Sequence, residues 1–366
     1  MSLNINKTTQ KIKFETFEWK EVFVLVEKFK EKVEAMLIWW AIWDAMWVPV
    51  EMRTKEQISN RYWRLDKYLP AIENLFFKKW WLESNDSWLI SDDTILTFSW
   101  VKSLLNSKWI DFDNIVLTSI EDYKNFPYWF WRGTREAFEK YENWVPYTET
   151  WNVNSAWNWV VMKQSPYAAY SLKEDLSQKS IDDNLEILTK ITHPHPVAIV
   201  ASLVHNKFLM ELLKSNKDID FYDILNDLYH YSSNLENKFY SEEELKELDK
   251  ISNLILDLMD DYLDWWLSDE EILEKYGWGD KQIYASGYVL TTLWICYSIF
   301  IRNKQDFDTL LDSINIWWDV DTFWSIVWNM IWAYKWKFYE KKYEEWLKSF
   351  EWLKENVDKF NDFLLS

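Results

Sequence analysis

The sequence predicts an all-α fold: a single compact helical domain with helical additions at the N-terminus, inside the domain and at the C-terminus. Three observations predict it. Apolar residues recur at helical spacing over long stretches, only 7 Pro interrupt the 366 residues, and no Val- and Ile-rich segment alternates at period two as a half-buried strand would. No repeat of 20 to 50 residues appears, which argues against a solenoid.

Residues 1–30 read as a polar N-terminal extension that carries one added helix over 18–32. The main domain spans 31–336. Pro194 or Pro196 opens a helix through Ala198, Val200, Leu203 and Phe208, because proline is tolerated in a first turn. The acidic stretch at about 215–264 reads as a helical insertion. Within it Ser241 and Glu244 make a capping box leading into Leu245, Leu248, Ile251, Ile255 and Leu258. Residues 283–301 are apolar on nearly every face and predict a central buried helix. The tail, 337–366, has Phe338, Tyr339, Tyr343, Trp346, Leu347, Phe350 and Leu353 at helical spacing, and is expected to pack back on the body.

Composition excludes several classes. There are 60 acidic against 41 basic residues, a formal charge of -19. That argues against binding nucleic acid or anionic lipid, which needs a basic face. No uninterrupted apolar run approaches the roughly 20 residues that cross a bilayer, and the first residues lack the apolar core of a signal peptide. One cysteine, Cys296, allows neither a disulfide framework nor a cysteine-ligated zinc site. A soluble cytoplasmic protein is the expectation.

One count is abnormal. The chain has 29 Trp and 4 Gly, where average usage of about 7% would give roughly 26 Gly. The tryptophans fall where glycine is normally needed: Trp157 and Trp159 flank Asn158, Trp317 and Trp318 precede Asp319, Trp278 sits between Gly277 and Gly279, and Trp39, Trp40, Trp43 and Trp47 recur along one apolar stretch. Glycine lets backbones approach closely and tolerates positive φ; tryptophan does neither. UGA is read as glycine in some bacterial lineages, and reading it as tryptophan would give this pattern. The alternative is a truly Trp-rich chain that manages its turns almost without glycine.

Two acidic clusters stand at the starts of apolar helices. The first is Ser91, Asp92, Asp93 and Thr94, before Ile95, Leu96, Phe98, Val101 and Leu104; the second is Asp319, Asp321 and Thr322, before Ile326, Val327, Met330 and Ile331. Taken singly, each reads as helix capping. Together they would offer four carboxylates plus hydroxyls, hard ligands suited to Mg²⁺ or Mn²⁺. Four acids gathered without a cation would repel one another.

With glycine at the suspect positions, residues 38–51 read Ile-Gly-Gly-Ala-Ile-Gly-Asp-Ala-Met-Gly-Val-Pro-Val-Glu. This resembles the opening motif of the ADP-ribosylglycohydrolase family, which includes dinitrogenase reductase-activating glycohydrolases and whose members remove ADP-ribose from proteins and related acceptors. Four further stretches agree, in the family's order. Residues 91–94 resemble its Thr-Asp-Asp-Thr motif with Ser91 for the first Thr, and residues 155–162 its Ser-x-Gly-Asn-Gly segment. Thr192 and His193 resemble its Thr-His, and residues 316–324 its Gly-Gly-Asp-x-Asp-Thr-x-Gly. The similarity runs over about 35–336.

The resemblance implies an all-α fold of the ADP-ribosylglycohydrolase type and a centre of two Mg²⁺ ions, Mn²⁺ being possible. Ser91, Asp92, Asp93, Asp319, Asp321 and Thr322 would be the ligands, and Glu51, seven residues after Asp44, the acid that orients water or assists departure of the acceptor. Ser155 and Asn158 would lie near the pyrophosphate and His193 would touch substrate. Residues 128–134, with Arg132, would contribute to the same pocket. The expected partner is an ADP-ribosylated protein or a small ADP-ribosylated acceptor. Rival readings are a non-catalytic relative that binds ADP-ribose and, with genuine tryptophans, a sugar-binding protein.

Other residues invite blander readings. His193 and His195 have a proline between them and no evident partner ligands. His205 and His230 fall in helical patterns as packing or surface residues. Cys296 lies in an apolar helix as a buried structural thiol. Residues 277–280 lack the Lys-Ser/Thr of a phosphate loop.

Overall fold

The structure, a computed structural model, describes residues 5–6, 11–12, 19–51, 53, 55–62, 67–69, 90–126, 130, 132–150, 155–173, 176–215, 219–264, 287–303, 320–335, 344–345, 347 and 349–366. Over these residues helices carry the fold, as the sequence predicts. One correction is small: residues Ile5–Asn6 (β1) and Lys11–Ile12 (β2) pair antiparallel, two residues each, too short to leave a period-two signature.

Helix α1 (Trp19–Trp47) is 29 residues long. The separate helix expected over 18–32 is its first half, because neither Pro nor Gly occurs between Trp19 and Trp47 to interrupt it. It stops at the turn Val48–Val50, where Pro49 stands. After α2 (Lys55–Tyr62) come α3 (Asp92–Ser107), α4 (Phe112–Asn125) and α5 (Arg132–Glu142). A single turn, α6 (Trp159–Met162), leads into α7 (Ser165–Lys173), α8 (Gln178–Lys190) and α9 (Pro196–Lys214). Pro196, not Pro194, opens α9, with His195 as the N-cap.

In the acidic segment, α10 (Phe221–Phe239) is followed by α11 (Glu244–Glu247) and α12 (Ile251–Asp264). The capping box forms: Ser241 N–H donates to Glu244 Oε2 at 2.7 Å and Glu244 N–H to Ser241 Oγ at 3.2 Å. The helix it starts nevertheless ends after one turn. Buried Glu236 accepts from the N–H and the hydroxyl of Ser252, at 2.8 and 2.5 Å, and so caps a new helix start. Among the described residues there follow α13 (Val289–Asn303), α14 (Val320–Tyr334) and α15 (Phe350–Leu365).

Helix α9 forms the hub, with α7, α8, α10, α13 and α14 packed around it. α1 and α14 lie antiparallel, since Trp39 stacks on Trp332, Trp43 on Trp328 and Trp47 on Trp324. α15 crosses α1, α3 and α7, where Phe98 meets Trp352 at 5.4 Å between ring centres and Asn361 Nδ2 donates to Lys30 O at 3.3 Å. Buried Lys32 ties α1 to the end of α9, donating to the carbonyls of Leu212 (2.9 Å), Leu213 (3.3 Å) and Ser215 (2.6 Å). Carbonyls at a helix C-terminus run short of helical donors, and a cation there complements the helix dipole.

Averaged over a window, two stretches among the described residues, Leu25–Val50 and Pro196–Lys214, are long and apolar enough to cross a membrane. Those windows are 89% and 83% buried within the fold, as core helices of this length are.

Candidate functional site

The site is built where three helix ends meet. From α1 comes Asp44, fully buried in an otherwise apolar stretch. Its Oδ2 accepts the Ser91 N–H at 2.8 Å, the Thr94 N–H at 3.3 Å and the Thr94 hydroxyl at 2.5 Å. The first turn of α3 is therefore capped twice: Ser91 Oγ accepts the Asp93 N–H at 3.1 Å within the helix, and Asp44 takes the Ser91 and Thr94 N–H groups from α1. Burial pushes Asp44 up to about 6, against the hydrogen bonds from Thr94 and Ser91. Its Oδ1 is buried with no hydrogen-bond partner.

From α14 comes Thr322, whose hydroxyl donates to Asp93 Oδ2 at 3.0 Å. This contact joins helix starts 229 residues apart in sequence. The two acidic clusters are thus neighbours in space through Thr322 and Asp93. Asp319, the side chain of Asp321, residues 128–129 and 131 with the Arg132 side chain, and 277–280 lie outside the described residues. Among the described residues no group of three His, Cys, Asp or Glu is placed to hold a metal ion.

Glu51 ends the turn after α1, 8% exposed, with its N–H donating to Trp47 O at 3.1 Å. Pro49 and this bond fix where the side chain leaves the backbone. Ser155 and Asn158 are buried on the strand-like approach to α6. The Asn158 N–H donates to Gly287 O at 2.8 Å and the Val289 N–H to Ala156 O at 3.0 Å, which pins this loop to the start of α13. Asn158 Nδ2 donates to Thr292 Oγ1 at 3.1 Å. At both residues the structure shows a braced loop.

His193 and His195 part company. His195 caps α9, its Nδ1 accepting the Val197 N–H at 3.3 Å, a structural role. His193 is fully buried, edge-on to Trp159 with ring centres 6.2 Å apart. Burial first and Lys163 second hold it well below the usual histidine range, so it is neutral at pH 7. Lys163 is itself buried; burial lowers it to about 8, with Asp92 opposing. Its Nζ donates to Thr192 Oγ1 at 3.4 Å and lies 5.5 Å from the Trp100 ring centre. Asp92, Lys163 and His193 are electrostatic neighbours, which places the α3 start beside the turn before α9.

The sequence reading used Asp44 only as a spacing mark and did not single out Lys163. A lone carboxylate in an apolar helix was the available signal for the first. For the second, no pattern separates a buried lysine from an exposed one. His205, buried with Nδ1 3.2 Å from the Tyr297 hydroxyl, exposed His230, and Cys296, buried with Sγ 3.5 Å from Phe323 O, serve packing as expected.

A divalent cation fits the donors present. Ser91, Asp92, Asp93 and Thr322 offer hard oxygens, all buried, and with Asp44 they gather three carboxylates in the interior. Burial disfavours carboxylates gathered in the interior, Lys163 beside Asp92 supplies one positive charge, and Asp44 Oδ1 is left without a hydrogen-bond partner.

Against known proteins, the chain matches the family model ADP-ribosylglycohydrolase over residues 26–327. A solved chain from an "ADP-ribosylglycohydrolase-related protein complex" shares 15% identity, with a TM-score of 0.58 over 92% of this chain and 99% of that one, a likeness of fold. No curated protein matches in sequence. The family match starts within α1, runs through the buried start of α3 and ends within α14, so it takes in every element that builds the site: the chain belongs to the ADP-ribosylglycohydrolase family.

Proposed function

We propose that the chain hydrolyses an ADP-ribosyl glycosidic bond and releases ADP-ribose from a modified protein side chain or related acceptor. Family membership supports ADP-ribosyl hydrolysis in general. The observation that carries the finer reading is the hydrogen bond from Thr322 to Asp93, which joins the two acidic helix starts. Ser91, Asp92, Asp93, Asp319, Asp321 and Thr322 would hold Mg²⁺, two ions by the family resemblance, with Mn²⁺ as a substitute. Bound there, the cation would supply charge neutralisation and Lewis acidity toward ribose hydroxyls and water.

Glu51 takes the proton-handling role. A carboxylate largely shielded from solvent and fixed by the turn after α1 is suited to orient water at the anomeric carbon or to assist the leaving acceptor. Neutral His193 offers one donor and one acceptor to substrate. The loop of Ser155 and Asn158, braced on α13, would border the diphosphate, as the family resemblance implies.

The proposal includes that many of the tryptophans are glycine in the protein as the cell makes it. Four observations support this. Trp39, Trp43 and Trp47 on α1 face Trp324, Trp328 and Trp332 on α14, all at four-residue spacing. With glycine this becomes a small residue at every fourth position on both helices, which lets two backbones approach closely. The buried indole N–H groups of Trp40, Trp47, Trp324 and Trp332 have no hydrogen-bond partner, though buried Trp N–H groups usually find one. Trp144 holds φ 65, and a Cβ on Gly287 would lie 2.5 Å from the Trp157 ring.

The test is ADP-ribose release from ADP-ribosylated arginine and serine peptides, using the chain with glycine at 39, 40, 43, 47, 157, 159, 317, 318, 324, 328 and 332. Mg²⁺-dependent release is expected. Asp93→Ala should retain helicity by circular dichroism and lose about 10³-fold in rate, the equivalent of several kcal/mol of metal-borne stabilisation. Turnover in EDTA at the full rate, or wild-type rates in Asp93→Ala, would overturn the reading.

A further inference from the structure

We infer that Asp44 is a positioning residue: it fixes the acidic start of α3, through Ser91 and Thr94, in the geometry that receives the cation. The inference rests on the metal-dependent reading above. It is carried by hydrogen bonds from a different helix. Asp44 Oδ2 accepts from two backbone N–H groups of the α3 first turn and from the Thr94 hydroxyl, at 2.8, 3.3 and 2.5 Å. A helix start ordinarily finishes its N–H groups with its own cap or with water. Here Ser91 supplies one cap, to Asp93, and α1 supplies the acceptor for the Ser91 and Thr94 N–H groups.

The arrangement has a cost that packing alone would not select. Asp44 is fully buried and its second oxygen, Oδ1, has no hydrogen-bond partner. An apolar residue would fill this stretch of α1, flanked by Ile42, Trp43, Ala45 and Met46, without burying a charge. What the carboxylate adds is a bond to the backbone that carries Ser91, and a grip on Thr94, one residue after Asp92 and Asp93. The side chains of Ser91, Asp92 and Asp93 leave that backbone. Rotation of the first turn by a fraction of an ångström would move all three together, and residues that orient metal ligands in this way typically change metal affinity by about 10–100-fold when removed.

The same three bonds tie α3 to α1, whose following turn ends at Glu51, seven residues after Asp44. Asp44 thereby sets the position of the acidic helix start relative to the proton-handling carboxylate. A loss at Asp44 should therefore appear in kcat as well as in metal binding, with little change in KM for the ADP-ribosyl substrate.

The experiment compares wild type, Asp44→Asn, Asp44→Ala and Thr94→Val, in the glycine form of the full chain, by Mn²⁺ binding (electron paramagnetic resonance) and by ADP-ribose release. Asp44→Asn keeps an oxygen that can accept all three hydrogen bonds, so it should stay within a few-fold of wild type in Mn²⁺ affinity. Asp44→Ala should weaken Mn²⁺ binding at least tenfold and lower kcat with KM unchanged. Thr94→Val, which removes one of the three donors, should shift both in the same direction by a smaller factor, and combining it with Asp44→Ala should add nothing further. Wild-type Mn²⁺ affinity in a folded Asp44→Ala protein would overturn the inference. If Asp44→Ala does not fold, wild-type affinity in Thr94→Val together with tenfold weakening in Asp44→Asn would overturn it, because charge and not position would then be responsible. A wild-type protein that binds Mn²⁺ in an Asp44-dependent manner but releases no ADP-ribose would sink the hydrolase reading and leave the positioning role standing.

Discussion

Two aromatic regions of this core pack by different rules. Around α9 and α13, Phe208, Phe221, Tyr297, Phe300 and Tyr334 meet edge to face, with centroids 4.8 to 6.2 Å apart and interplanar angles of 66° to 89°. This is the arrangement that the ring quadrupole favours. The Tyr297 hydroxyl has His205 as its partner. Between α1 and α14 the rings lie nearly parallel instead: Trp43 on Trp328 at 4.8 Å and 2°, Trp47 on Trp324 at 5.1 Å and 13°, Trp39 on Trp332 at 5.4 Å and 26°. In the first region ring orientation is set by the rings; in the second, by the regular spacing of the backbone positions that carry them. The first is a core built from aromatic residues, whereas the second has the periodicity of a close helix–helix contact filled with aromatic side chains.

The largest expected effect tests that difference directly. Replacing Trp39, Trp43, Trp47, Trp324, Trp328 and Trp332 together by Gly has opposite consequences on the two accounts. If the rings are genuine, six buried indoles are deleted at about 3–5 kcal/mol each and the chain unfolds. If glycine is native, α1 and α14 close on each other, and the substituted chain melts cooperatively and at higher temperature than the chain carrying tryptophan. Thermal unfolding followed by circular dichroism decides, and we expect the second outcome. In the other region, Phe208→Ala should destabilise by about 3–5 kcal/mol whichever account holds, measured by urea unfolding in the glycine form.

Much of the architecture could be read from the sequence because helices announce themselves by period. The buried run of α13 and the Pro-opened α9 follow from residues alone, and the two acidic helix starts from their capping chemistry. What could not be read was competition between local signals. The capping box at Ser241 and Glu244 is well formed yet yields one turn, because Glu236, on the preceding helix, captures Ser252 and starts a new helix. Asp44 shows the same limit at the site: its role depends on which helix lies beside it, and no spacing along α1 tells that it grips Thr94.

The conventional region also predicts a pH dependence. Burial lowers His205 to about 3 from an ordinary value of 6.5. Above 6.5 it is neutral in both states and costs nothing. Between 6.5 and 3 the unfolded chain takes up a proton that the folded chain refuses, so stability falls as pH falls through that window, by a few kcal/mol at most by linkage. His205→Gln should flatten this part of the stability–pH profile in urea unfolding at pH 7, 5 and 4. An unchanged slope would remove His205 as its source.

The smallest effect is the cleanest, because it involves no packing. Trp144 follows α5 in the left-handed region, φ 65, and is 94% exposed. The Val145 N–H reaches Lys140 O at 3.1 Å and the Trp144 N–H reaches Tyr141 O at 2.9 Å, the double bond that ends a helix around a glycine in its most frequent form. An L side chain here carries a strain of about 1 kcal/mol, so Trp144→Gly should raise the midpoint of urea unfolding. That gain alone does not separate a misread codon from a tolerated residue, since Lys108 ends α3 with φ 66 and is no tryptophan. The separation comes from pairing the measurement with peptide mass spectrometry of the native protein. Glycine at 144, 324 and 328 but lysine at 108 would show that the left-handed position tolerates a side chain and that the tryptophans are still misread. Tryptophan at all three would instead make the α1–α14 ladder a genuine second kind of core.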